Sequence, residues 1–295
     1  MTTTIRRLII LALGLLAGLA AWPVMEALVQ LQAGFPSLLL FTLLSGAAFG
    51  IVFGAFFASA EGIISGNKRR IRQASLVGAG IGLLGGIVGF LAGQALLFVL
   101  GELVFNRARE ITTVALPLAR AAGWALLGVF VGAAEGFRAR SRLKVGMGVA
   151  GGLIGGILGG AAIEYARLFL PGISLARLVG LLTFGLLIAG SYALIERRLS
   201  HGVLRLLNGG KKGAEYILNQ QRLTIGSAPT SDIMLSGYRN VADHHARIWS
   251  EAGELQIAPA SGAELVVNDE RVDQTRLRYE DVIKIGTAKL FLRPE

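Results

Sequence analysis

At 295 residues the chain is 53% hydrophobic and only 16% charged, with a mean hydropathy of +0.61, well outside the range of soluble globular proteins. A net charge of +10 and a pI near 10.5 would point to nucleic acid if the basic residues shared a soluble face. They do not: residues 203–295 carry 12 basic and 12 acidic side chains, so the 17 basic and 7 acidic residues before them hold the whole surplus, and they flank apolar stretches. Membrane topology accounts for the charge, and no nucleic-acid partner is expected. The lack of cysteine excludes disulfides, thiolate metal sites and cysteine nucleophiles.

Six apolar stretches, near 7–29, 36–60, 75–104, 115–136, 145–169 and 174–195, are each long enough to cross a hydrocarbon core, which takes about 20 residues. The connections between them sort by charge. Arg6, Arg7, Lys68, Arg69, Arg70, Arg72, Arg138, Arg140, Arg142, Lys144, Arg197 and Arg198 fall on one side. The other side has Arg107, Arg109, Arg120, Arg167 and Arg177, partly offset by Glu102, Glu110 and Glu164. The positive-inside rule then puts both termini in the cytoplasm. Arg6-Arg7 ahead of an apolar run, with Gly18 and Ala20 framing a cleavage site, would also fit a signal peptide. The run continues through Val24 to Leu31 without a polar break, which favours a retained span.

The apolar part repeats. Gly14, Gly82 and Gly152 align, as do Gly18, Gly86 and Gly156, and Ala21, Gly89 and Gly159; in that register Glu26, Gln94 and Glu164 form a layer near the outer ends. On the alternate helices Gly54 aligns with Gly128, Ala60-Glu61-Gly62 with Ala134-Glu135-Gly136, and Leu118-Ala119-Arg120 and Gly123 with Leu175-Ala176-Arg177 and Gly180. The pattern predicts three helical hairpins inserted in one orientation. Glycines every fourth residue, Gly82 and Gly86 or Gly152 and Gly156 among them, would let helix backbones touch in lipid. That implies close packing of a bundle or of a homo-oligomer. The alternative is a small channel or transporter whose path is lined by glycine backbone and the Glu26/Gln94/Glu164 layer. No span has a charge near its middle or a broken helix of the kind that builds substrate sites.

From Val203 the period changes. Short β-rich runs appear at Val203–Leu207, Glu215–Leu218, Arg222–Ile225, Asp232–Leu235, Ala246–Ser250, Leu255–Ala258, Glu264–Val267, Asp281–Ile285 and Lys289–Arg293. Turn residues separate them at Asn208-Gly209-Gly210, Ala252-Gly253, Ser261-Gly262 and Asn268-Asp269. Many short, closely spaced strands predict an antiparallel sandwich or barrel. The expected architecture is thus a six-span α-helical membrane domain over 1–200 and an all-β domain over 203–295.

Within the second part, Leu223-Thr224-Ile225-Gly226, Ser231-Asp232-Ile233-Met234-Leu235, His245-Ala246-Arg247-Ile248, Asn268 and Asp281-Val282-Ile283-Lys284-Ile285-Gly286 stand in a specific order. In that order and spacing the segment resembles a forkhead-associated (FHA) domain, a β-sandwich whose loops usually read phosphothreonine. The resemblance implies roles residue by residue. The family's Gly-Arg pair is Gly226-Ser227 here, so the phosphate-facing guanidinium is missing. Its Ser-x-x-His is Ala242-Asp243-His244-His245, which lacks the hydroxyl and keeps the structural histidine. Its Asn-Gly is Asn268-Asp269, which keeps the asparagine that holds the peptide backbone. Asp243 stands where the family often has a basic or amide residue. Arg239, in a loop one residue longer than usual, is the candidate substitute cation, with a protonated His244 beside it.

Phosphothreonine carries close to two charges, and each charge-assisted bond to it is worth about 1.5–3 kcal/mol. Losing the arginine and the hydroxyl, and adding a carboxylate, argues against ordinary phosphothreonine recognition. Adjacent His244 and His245 point to opposite faces of a strand and lack spaced partners, so no metal site is expected. No nucleotide loop or nucleophile elbow is present, and Gly78-Ala79-Gly80-Ile81-Gly82 mimics a dinucleotide motif only within a span. The sequence is read as a non-enzymatic protein of the inner membrane, without a cofactor, whose FHA-like loops meet a protein partner for recruitment or assembly. The alternatives are a phosphothreonine-dependent receptor in Ser/Thr kinase signalling and the regulated channel.

Overall fold

The computed structural model describes residues 2–65, 68–103, 114–138, 141–170, 172–219, 222–251, 254–260 and 262–294. Arg107, Arg109, Glu110, Arg140, Ala252-Gly253 and Ser261 lie outside the described residues, as do the side chains of Arg70, Glu102, Glu135, Arg138 and Arg167. The chain divides into two compact units, Arg7–Ile195 on one hand and Met1–Arg6 with Glu196–Glu295 on the other.

Six α-helices are present among the described residues: α1 (Thr3–Leu31), α2 (Leu38–Ser65), α3 (Lys68–Leu103), α4 (Leu116–Arg138), α5 (Arg142–Phe169) and α6 (Ile173–Leu199). All six are long and apolar enough to cross a bilayer. Polar residues mark their starts: Ser37 Oγ accepts the Leu40 N–H ahead of α2, and Ser141 Oγ accepts that of Lys144 ahead of α5. Leu8, Leu16, Leu76, Leu84, Phe98 and Leu158 are among many large apolar side chains left exposed, as a lipid-facing surface requires.

Three helix pairs share one pattern of contact. A Cβ on Gly50 of α2 would collide with the carbonyl oxygen of Gly82 on α3; Gly128 of α4 meets Gly152 of α5, and Gly185 of α6 meets Gly14 of α1, in the same way. Eight residues before the first glycine of each pair stands Thr42, Arg120 or Arg177, and twelve after the second stands Gln94, Glu164 or Glu26. These partners join across the pairs. Gln94 Nε2 donates to Thr42 Oγ1, Arg120 Nη1 to both oxygens of Glu164 at 2.8 Å, and Arg177 Nη1 to Glu26 Oε2 at 3.0 Å. The polar layer predicted from the repeat is therefore internally paired. Gly54 of α2 meets Gly78 of α3 in the same way, and Gly62 lies against Ile71 as Gly136 lies against Val145.

The residue before each even-helix glycine (Phe49, Leu127, Phe184) and the third after it (Phe53, Val131, Ile188) point into the bundle, all at most 1% exposed. Trp124 sits among them with ring centroids 5.5 Å from Phe49, 5.3 Å from Phe90 and 4.6 Å from Phe184. The interior is filled with aromatic and branched side chains.

The other unit is a two-sheet sandwich. Its strands are β1 (Val203–Leu206), β2 (Glu215–Ile217), β3 (Arg222–Gly226), β4 (Ile233–Met234), β5 (Ala246–Glu251), β6 (Glu254–Pro259), β7 (Leu265–Val267), β8 (Glu270–Arg271), β9 (Thr275–Leu277), β10 (Val282–Ile285) and β11 (Ala288–Arg293). One sheet runs β2-β1-β11-β10-β7-β8 and the other β4-β3-β5-β6-β9; β3 and β4 pair in parallel. Alternate residues face inward, so Leu223 and Ile225, Leu255 and Ile257, Ile283 and Ile285, and Leu290 and Leu292 form one core. The strands expected from sequence are all present. β8 and β9 are additional: Asn268 (φ 52°) and Asp269 (φ 66°) form the two-residue turn that brings β8 back on β7.

Buried carboxylates in this unit are fully matched. Glu196, 1% exposed, accepts Arg6 Nη2 at 2.9 Å and Asn219 Nδ2 at 2.8 Å; Glu215 accepts the Thr3 N–H at 2.7 Å and Arg293 Nη2 at 2.6 Å. Such pairs offset the desolvation of the acid. Burial, and then the neighbouring Tyr238, pushes the Tyr216 phenol above its ordinary 10.0.

Two outcomes are expected. Gly82→Val forces α2 and α3 apart and costs about 1–3 kcal/mol, whereas Gly80→Ala, with open space around it, is neutral or slightly stabilising; thermal unfolding in detergent distinguishes them. Because the folded pKa of Tyr216 exceeds the unfolded one, its contribution is complete below pH 10 and is lost as the pH rises through the folded pKa. Denaturant melts between about pH 9 and 11 should show that fall in the wild type and a smaller one in Tyr216→Phe.

Candidate functional site

The loop after β3 (227–232) and the loop after β4 (235–245) meet where the FHA resemblance places phosphate binding. Backbone bonds fasten them together: Ser227 N–H to Ala242 O at 3.0 Å, Ala228 N–H to Asp243 O at 3.2 Å, and His245 N–H to Ile225 O at 2.8 Å. Gly226 is dictated by this approach, since a Cβ there would strike the Asp243 carbonyl oxygen. Thr224 secures the first loop by donating its N–H and its hydroxyl to Asp232 Oδ2, each at 2.9 Å.

His245 is 3% exposed and acts as a bracket. Its Nδ1 accepts the Ala242 N–H at 3.1 Å, which leaves the ring proton on Nε2 to donate to Glu264 O at 2.8 Å. The loop after β4 is thereby tied to the loop between β6 and β7. His244 turns the other way, with Nδ1 3.2 Å from Ser231 Oγ. The Ser231 hydroxyl itself donates to Asp243 O at 2.9 Å.

At the phosphate-facing positions the side chains satisfy each other. Ser227 Oγ donates to Asp243 Oδ1 at 3.0 Å, and Ala242 offers no hydroxyl. The exposed Asp243 carboxylate has no cationic partner among the described residues. A dianionic phosphate approaching it would meet a negative group and no guanidinium.

Arg239 is held through its backbone and Asn268 through its side chain. Arg239 exchanges two backbone-side bonds with the turn between β10 and β11: its N–H donates to Thr287 Oγ1 and its carbonyl accepts the Thr287 N–H, both at 3.0 Å. Arg239 lines a separate cleft with Lys211 and Tyr238, and Ser227, Ala242 and Asp243 are not among the residues of that cleft. Asn268 Nδ2 donates to Asp281 Oδ1 at 2.7 Å and its Oδ1 accepts the Val282 N–H at 2.9 Å. Both ends of that amide are used in holding the β7–β8 turn against β10. The pairing of Ser227 with Asp243 joins residues 16 positions apart, which no local sequence pattern marks.

Comparison with known proteins identifies the C-terminal part. Residues 205–295 match the Yop-YscD cytoplasmic-domain family, described as the inner membrane component of T3SS, cytoplasmic domain. Similar solved structures include the FHA domain of the CT664 protein from Chlamydia trachomatis (25% identity, TM-score 0.29, covering 32% of this chain and 96% of that one). Others are a domain from work on phosphothreonine-dependent FHA domain interactions (24%, TM-score 0.30, 32% and 97%) and the cytoplasmic domain of the T3SS sorting platform protein PscD from P. aeruginosa (23%, TM-score 0.28, 31% and 78%). None of the curated proteins compared matches the chain. The segment is an FHA-type domain, and it follows six helices of membrane-spanning length.

His245→Ala removes two bonds of a buried ring, one of them from the Ala242 N–H, at a cost of about 1–3 kcal/mol. Chemical denaturation should report that loss. Ser227→Ala, which frees only an exposed pair, should stay within about 0.5 kcal/mol of wild type.

Proposed function

We propose that this chain is a membrane-anchored docking protein whose FHA-type domain meets a protein partner on the cytoplasmic face of the inner membrane, for recruitment or assembly, without needing phosphothreonine. The observation that carries this reading is the Ser227–Asp243 hydrogen bond at the place of the family's phosphate grip. The loops are still braced by Gly226 and His245, so a defined recognition surface persists with its charge preference changed. The matched family's description as an inner membrane component supports the location, and its cytoplasmic domain supports the side. The positive-inside distribution of arginine and lysine agrees. The bundle interior, filled by Phe49, Phe53, Trp124 and Phe184, supports an anchor over a transport path.

The test is a titration of the full-length protein in detergent with phosphothreonine peptides beside their unphosphorylated counterparts. The expected outcome is no preference for phosphate in the wild type. Installing the family's residues, Ser227→Arg with Ala242→Ser, should confer a preference of about tenfold or more, since one charge-assisted bond is worth about 1.5–3 kcal/mol. A wild-type protein that selects phosphothreonine would overturn the reading. Topology is tested separately by a C-terminal reporter, expected to be active only when cytoplasmic.

A further inference from the structure

Away from the Ser227–Asp243 loops, the sandwich carries a second concave surface. It is a cleft of about 580 Å³ between the loop joining β1 to β2, the first half of the loop after β4, and the turn joining β10 to β11. Lys211 and Arg239 supply its charge, and no acidic residue lines it. Both side chains are exposed and neither has an ion-pair partner among the described residues. In a domain with equal numbers of acidic and basic residues, that local imbalance is a specific feature.

The walls are built while the cations are left free. Asn208 Nδ2 donates to Thr287 O at 2.8 Å and Asn208 Oδ1 accepts the Lys289 N–H at 2.9 Å. The Tyr238 hydroxyl donates to Asn208 O at 2.6 Å, and Arg239 and Thr287 exchange their two bonds across the third wall. Two glycines in the left-handed region permit the fit. Gly209 (φ 75°) lies against the Tyr238 ring, and Gly286 (φ 54°) against the Arg239 carbonyl oxygen; a Cβ at either would collide. The framework holds the cleft open without drawing on either positive side chain.

We propose that this cleft is a docking site for an acidic peptide segment of a partner protein, held by carboxylates on Lys211 and Arg239. The planar Arg239 guanidinium suits bidentate carboxylate pairing, Lys211 adds a second point charge from another loop, and Tyr238 offers an apolar wall to the peptide between its acids. The volume falls in the range of about 300–1,000 Å³ that suits a ligand of several groups, beyond one inorganic anion. A bilayer surface is a poorer match: polybasic lipid-binding surfaces muster about 4–8 cations, whereas this one is concave and has two. The site goes beyond the proposed function, since it uses none of Ser227, Ala242 and Asp243.

The experiment uses the full chain in neutral detergent and fluorescence anisotropy of a short peptide of alternating glutamate and serine. Lys211→Ala with Arg239→Ala should weaken binding about tenfold or more, while Lys284→Ala, a cation elsewhere on the sandwich, should not. Lys211→Glu with Arg239→Glu should lose the glutamate peptide and gain the matching lysine–serine peptide, a result that an unfolded variant does not give. Undetectable binding by the wild type, or binding unchanged in the double alanine variant, overturns the proposal. So does a protein that ignores the peptide and takes up short-chain phosphatidylserine through the same two residues. Since the probe carries no phosphothreonine, a phosphate preference at the other loops leaves this result untouched, and the two readings fail separately.

Discussion

The helical unit depends on backbone touching backbone. In hydrocarbon, apolar side chains gain nothing by leaving lipid for each other, so association has to come from close contact and matched polar groups. Gly50 against Gly82, Gly128 against Gly152 and Gly185 against Gly14 supply the contact, at separations that leave no room for a methyl group. Each glycine would cost about 1 kcal/mol relative to alanine in a soluble helix. Here that loss is offset by dispersion along the whole pair. With the backbones so close, the inward side chains must be large to fill the middle, which accounts for Phe49, Phe53, Phe184 and Trp124. Small residues between neighbouring helices and aromatic residues at the centre are two parts of one solution.

The same contact rule explains the paired layer at one end of the helices. Glu164 and Glu26 face Arg120 and Arg177 because the glycine register sets the helices at fixed heights, eight residues one way and twelve the other. The α2–α3 pair keeps the geometry with neutral groups, Thr42 and Gln94. The acids in the layer therefore answer to arginines on neighbouring helices, and the layer reads as a set of clamps.

Much of this was legible in sequence, and what was not has physical causes. Length and hydropathy are enough for the spans, and β-rich runs between turn residues are enough for most strands. β8 and β9 escaped because Glu270–Arg271 and Thr275–Leu277 are short and mostly solvent-facing, with no alternation to detect. β8 follows from the positive φ at Asn268 and Asp269, which a sequence marks only as a turn, and β9 from its pairing with β6 in the other sheet. The placement of the Arg239 backbone is also invisible locally, since its bonds go to Thr287, in a turn 48 residues later.

The FHA-type domain separates what holds the loops from what the loops say. Gly226 and His245 act on backbone: one permits the Asp243 carbonyl to approach, the other ties two loops through a single neutral ring. Both would be needed whatever the ligand. Ser227, Ala242 and Asp243 act outward, and these are the positions that depart from the phosphothreonine pattern. A surface that had merely decayed would leave unmatched polar atoms or gaps at those positions. Instead Ser227 donates to Asp243, and Ser231 donates to the carbonyl beside it, so the loops form a complete hydrogen-bonded structure presenting a carboxylate. Side chains at recognition loops can be exchanged without loss of fold only where the backbone beneath them is held by other residues, as Gly226 and His245 hold it here.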